Sequence, residues 1–112
     1  MIESYSFGRL VIASNTYHSD VLVLPDRVVP DWWRKEGHLL QLDDLQQALS
    51  ARPEVLVVGT GAQQCMKVAP EVVAHTQKVG IELLACDTRT ACGLFNELSQ
   101  KRRAVAALHL TC

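Results

Sequence analysis

Residues Val55-Leu56-Val57-Val58 are apolar at every position, mostly β-branched, and run directly into Gly59-Thr60-Gly61. An alternating pattern would mark a strand with one wet face. An unbroken run suits a strand covered on both faces. Such a strand needs a layer above and a layer below, and the flanking sequence has the material for both.

Before it, Asp43 can cap a short helix, with Gln46 three residues on completing a capping box. Leu42, Leu45 and Leu49 share one face of that helix, and Pro53 stops it. After it, Pro70 fits a first helical turn and Glu71 complements the dipole there. Val72, Val73, Thr76 and Val79 form the inner stripe, and Gly80 ends the helix. Ile81-Glu82-Leu83-Leu84 is predicted as the next strand. Asp87 or Thr88 caps a third helix, with Ala91, Leu94, Phe95 and Leu98 on its buried side. Lys101, Arg102 and Arg103 lie at its C-terminal end, where positive charge is favoured, and Ala104 to Leu110 is a last strand.

The order β-α-β-α-β implies an α/β sheet with helices packed on it. Residues 1–40 read differently. Arg9-Leu10-Val11-Ile12 and Val21-Leu22-Val23-Leu24 are short apolar runs bounded by Gly8, Ser14-Asn15 and Pro25-Asp26, the pattern of antiparallel strands with tight connections. These strands either extend or cover the main sheet, which is expected to be mixed. At 112 residues the chain, 1–112, is expected to be one domain, long enough to bury a core without metal or disulfide staples.

Composition narrows the function classes. The net charge is −1, and the short basic run at Lys101–Arg103 is too isolated to argue for DNA or RNA. No stretch reaches the roughly 20 apolar residues of a membrane span. The segment Met1-Ile2-Glu3-Ser4 lacks the features of a secretory or transit signal, so a cytoplasmic protein is expected. Cys65, Cys86, Cys92 and Cys112 form no C-x-x-C pair, so free thiols are the expectation. No two histidines have the i, i+4 spacing of a zinc helix, and no metal is expected.

Three groups of residues are candidates for a function. Gly59, Thr60, Gly61 and Gln63 follow a buried strand, where open α/β sheets bind ligands. Successive N–H groups there can form an anion nest, although Gln64 replaces the third glycine of a dinucleotide fingerprint and no Gly-Lys-Ser/Thr follows. The plain alternative is a tight turn needing positive φ. Cys86 and Thr88 follow the next strand and should lie beside that turn. A thiol at a helix N-terminus can have a lowered pKa, though no histidine among His18, His38, His75 and His109 stands in a telling relation to Cys86. Arg27, Trp32, Trp33, Arg34 and His38 mix adjacent indoles with cations, the composition of a partner surface. If Trp32 and Trp33 lie on a strand they point to opposite faces, one into the core and one outward.

Taken in order, Pro25-Asp26, Trp32-Trp33, Gly37-His38, Val57-Val58-Gly59-Thr60-Gly61 and His109-Leu110-Thr111-Cys112 resemble the Mth-type domain family of uncharacterised small proteins, over nearly the whole chain. The resemblance implies a three-layer α/β fold around a central mixed sheet. It carries no catalytic residue and no cofactor onto any position here. It implies a protein-binding or assembly role, extending to the assembly of a respiratory membrane complex. The expectations, in order, are a non-enzymatic interaction module with a protein partner, a binder of a small anion at Gly59-Thr60-Gly61, and a thiol enzyme using Cys86.

Overall fold

The computed structural model describes all residues from Met1 to Cys112. In chain order its strands and helices are β1 (Ile2–Ser6), β2 (Arg9–Ile12), β3 (Asn15–Tyr17), β4 (Val21–Val23), β5 (Val28–Val29), β6 (Leu39–Leu40), a 3-10 turn (Leu42–Leu45), α1 (Gln46–Ser50), β7 (Val55–Gly59), β8 (Lys67–Val68), α2 (Pro70–Val79), β9 (Glu82–Cys86), α3 (Thr88–Leu98) and β10 (Ala104–Leu108). The central sheet runs β5-β4-β10-β7-β9. It is mixed, as expected: β7 is parallel to both β10 and β9, whereas β4 is antiparallel to β10.

The inner strands β7 and β10, like the shorter β4, are buried at every residue. Their side chains split by pleat into two cores. Val55, Val57, Ala104, Ala106 and Leu108 join Leu10, Ala91 and Phe95 on one face. Leu56, Val58, Val105 and Ala107 join Leu40, Leu45, Trp32 and Val72 on the other. One outer layer is therefore α3 with the β1-β2-β3 sheet, and the second holds α1, α2 and the 3-10 turn. The three-layer α/β fold follows directly from a strand pair with no polar face. The early strands do both things open to them: β4 and β5 extend the central sheet, and β1 to β3 cover it. Asn96 of α3 fastens that cover, accepting from the Ile2 N–H and donating to the Ile2 carbonyl, both at 2.8 Å.

Local expectations are corrected at three places. The capping carboxylate before α1 is Asp44, which accepts from the Gln41 N–H at 2.8 Å; the turn it closes is the 3-10 turn, whose N-cap is Gln41, two residues earlier than an Asp43 cap would place it. On α2 only Val72 and Thr76 are buried, while Val73 and Val79 are exposed. A ten-residue helix laid on a sheet edge buries a narrower stripe than its apolar positions allow. The last strand stops at Leu108, two residues short of the apolar run's end. There the chain leaves the sheet as an extended strap, residues 109–112. Asp87 is the N-cap of α3, accepting from the Thr90 N–H.

Candidate functional site

The C-terminal ends of β7, β9 and β10 come together at Gly59, Cys86 and Leu108, which share one register. Parallel sheets bind ligands beyond these ends. Here the space is occupied by the chain's own strap. The Ala62 N–H donates to Thr111, and those of Gln63 and Cys65 both donate to the Cys112 carbonyl, at 2.7 to 3.1 Å. The Gly61 N–H donates to the Thr88 hydroxyl at 2.9 Å, which itself donates to the His109 carbonyl at 2.6 Å. The Thr60 N–H and hydroxyl both donate to the Cys86 carbonyl. Every N–H from Thr60 to Cys65 has an acceptor within the protein.

The structure thus brings Gly59, Thr60, Gly61, Cys86 and Thr88 together as the sequence suggested, but with their donors spent. A small anion would have to displace the strap, so the geometry disfavours the anion-nest reading. The Gln63 side chain lies exposed, and only its backbone N–H takes part in this network. The glycines are explained by packing. A Cβ at Gly59 would stand 2.9 Å from the Thr88 hydroxyl, and at Gly61, where φ is +106°, one would stand 2.3 Å from the Cys112 carbonyl carbon.

Burial, and then the Asp87 carboxylate, push the Cys86 thiol upward, the reverse of activation. Burial pushes Cys92 up to about 12. At pH 7.5 a variant keeping only Cys86 should label with a thiol reagent more slowly than free cysteine, and one keeping only Cys92 should label only through unfolding. Labelling of Cys86 faster than free cysteine would restore the enzymatic reading.

The tryptophan segment holds the more informative geometry. It is a loop, not a strand, yet it divides its indoles as expected, because each neighbour of Trp33 is pinned. Trp32 is 7 % exposed. Its N–H donates to the Asp20 carbonyl and its Nε1 to the Asp44 carbonyl, both at 2.9 Å. The Arg34 guanidinium lies 4.8 Å from the Trp32 ring centre, donates from Nε and Nη2 to the Gly37 carbonyl, and meets Asp20 Oδ2 at 2.8 Å. Asp31 turns the chain just before them at φ +52°, and between them Trp33 stands 83 % exposed.

Asp20 organises this cluster. It receives the Arg34 guanidinium and His109 Nδ1 on Oδ2, each at 2.8 Å, and the Leu110 N–H on Oδ1 at 2.7 Å. A carboxylate only accepts, so His109 Nδ1 carries the proton in this hydrogen bond. Burial alone would raise the Asp20 pKa. The hydrogen bonds from His109, the Leu110 N–H and Arg34 outweigh it and hold the carboxyl below its ordinary value. His109 Nε2 and Arg34 Nη1 are buried without a protein partner.

Of the residues expected on a partner surface, Trp32 and Arg34 are therefore internal: the first packs in the core and the second is a buried ion-pair member, its side chain 4 % exposed. His38 is exposed, with its ring edge-on to His109 at 5.6 Å. Arg27 lines a different depression, with Ser50 and Arg103. Asp20 had no sequence motif. The signal for His109 was one imidazole in the apolar run Ala104–Leu110.

No helix is long and apolar enough to cross a membrane. The family described as "Protein of unknown function (DUF498/DUF598)" matches residues 2–110. A relative from Danio rerio, named NADH dehydrogenase (ubiquinone) 1 alpha subcomplex assembly factor 3, is 34 % identical over 96 % of this chain and 62 % of its own length. The chain thus spans about three fifths of that relative. Among solved structures, a conserved hypothetical protein from Pyrococcus horikoshii is 27 % identical with a TM-score of 0.85, covering 100 % of this chain and 99 % of its own. A protein from Bordetella parapertussis is 31 % identical with a TM-score of 0.83, covering 97 % and 93 %. The family match spans nearly the whole chain and the fold is that of a Mth938-like domain, so the chain belongs to the DUF498/DUF598 family.

Proposed function

We propose that this protein is a non-enzymatic interaction module that assists assembly of a respiratory NADH dehydrogenase, docking on its partner through Trp33. The observation that carries the reading is an indole 83 % exposed between two residues fixed in place. An exposed tryptophan costs solvation and earns no core packing. With the backbone held on both sides of it, the residue has less conformational entropy to lose on binding, which suits an interface anchor. The assembly factor named in Danio rerio supplies the class of partner.

The test is complementation in cells lacking the protein. Loss should lower the amount of assembled membrane NADH dehydrogenase, the wild-type chain should restore it, and Trp33→Ala should not, at an unchanged melting temperature and cellular level. Full restoration by Trp33→Ala would remove Trp33 from the reading. Normal assembly without the protein would remove the assembly role.

A further inference from the structure

The ground around Trp33 is acidic. Between Asp31 and Gln47 the chain carries Asp31, Glu36, Asp43 and Asp44 against two cations, Arg34 and Lys35. The Arg34 charge is withdrawn into the cluster with Asp20. Lys35 reaches Asp43 at 3.6 Å, with both side chains largely exposed, so that pair is open to exchange for another cation. Asp31 forms no salt bridge. A cleft of about 370 Å³ runs between the Trp33 loop and the 3-10 turn, lined by both indoles, Val29, Asp31 and Asp43.

These features select one kind of occupant. The face of an indole carries negative quadrupole potential and attracts a guanidinium or ammonium. The surplus of carboxylates repels phosphates and acidic chains and draws cations from a distance of about a Debye length, roughly 8 Å. We propose that the cleft receives a basic segment of the partner protein, with an arginine laid on Trp33 and neighbouring cations against Asp31 and Asp43. The proposal rests on the reading of Trp33 as a docking residue and adds the partner's chemistry. Asp44 also lines the cleft and adds its charge to the surplus, but its two oxygens already accept from the Lys35 and Gln41 N–H groups, so Asp31 and Asp43 are the direct partners.

The experiment is a titration of the full chain, followed by tryptophan fluorescence and calorimetry, with two synthetic peptides of alternating arginine and glycine or glutamate and glycine. Trp32 is buried, so a change in red-edge emission reports Trp33. The arginine peptide should bind saturably, and the glutamate peptide should not. Trp33→Ala should weaken the arginine peptide about tenfold. Asp31→Asn with Asp43→Asn should weaken it several-fold and flatten its salt dependence; asparagine suits the positive φ at position 31, so the fold is kept. Arginine-peptide binding indifferent to both variants would place it elsewhere on the surface and overturn the proposal, as would binding of the glutamate peptide. If Trp33→Ala fails in complementation while the arginine peptide does not bind, docking stands and the basic partner falls. If Trp33→Ala complements normally, the docking reading itself fails.

Discussion

Gly61→Ala should destabilise the protein by about 4 kcal/mol, among the largest losses available to a single methyl group. Two costs combine at this position. The backbone sits at φ +106°, a conformation that an L side chain rarely adopts. The new Cβ would also stand 2.3 Å and 2.4 Å from the carbonyl carbon and oxygen of Cys112, and 2.9 Å from His109 Cδ2. Two of those atoms are backbone, so a rotamer change cannot relieve the contact. The strap must move, which breaks the bonds from Ala62, Gln63 and Cys65 at once. Gly37→Ala is the control, because a Cβ there meets nothing within 4 Å and should cost well under about 1 kcal/mol. Urea unfolding of both variants measures the difference, and amide exchange should locate the loss at Ala62, Gln63 and Cys65. Equal midpoints for the two would show that the strap is not held as described.

The contrast between those glycines shows what the sequence disclosed and what it did not. Local patterns carried the layers: the Val55–Val58 run demands cover on both faces, Pro70 and Gly80 bracket α2, and Asp87 starts α3. These are properties of residues near one another in the chain. The glycine turn is legible for the same reason, but its meaning is not, since its donors and those just after it are satisfied by residues about 25 to 50 positions away. Likewise the adjacency of Trp32 and Trp33 announced one indole in and one out. Which was which depended on Asp20 and Asp44, whose carbonyls take the two N–H groups of Trp32. The Asp20–Arg34–His109 cluster joins three segments separated by up to 89 residues. No spacing rule covers it, because each member stands alone in its own segment.

That cluster is the second place where a small change should have a large effect. Asp20→Asn should cost about 3–5 kcal/mol, since removing one member of a buried ion pair leaves the others unpaired. The amide would place N–H against either the Arg34 or His109 donor, or against the Leu110 N–H, so no flip satisfies all three. The melting temperature should fall by roughly 20 °C. The pH dependence identifies the cause. The folded-state pKa of Asp20 is depressed below its unfolded value, so its contribution is full above about pH 3.9 and disappears as pH falls through the folded value. The stability gap between wild type and Asp20→Asn should therefore close as the pH falls below about 4. A gap that stays constant into that acid range, or one below about 1 kcal/mol at neutral pH, would show that the carboxylate charge is not what holds the cluster. Exchanging both partners, Asp20→Leu with Arg34→Met, should cost less than Asp20→Asn alone, because no charge is then left buried without its counterpart. The same substitution bears on function. Arg34 anchors one side of Trp33 through Asp20, and the Asp20 carbonyl anchors the other through the Trp32 N–H. Asp20→Asn loosens the first anchor and leaves the second, so Trp33 should remain exposed but lose its fixed direction. Below its melting temperature the variant should then bind an arginine peptide more weakly than wild type, through faster dissociation, with its surface carboxylates unchanged.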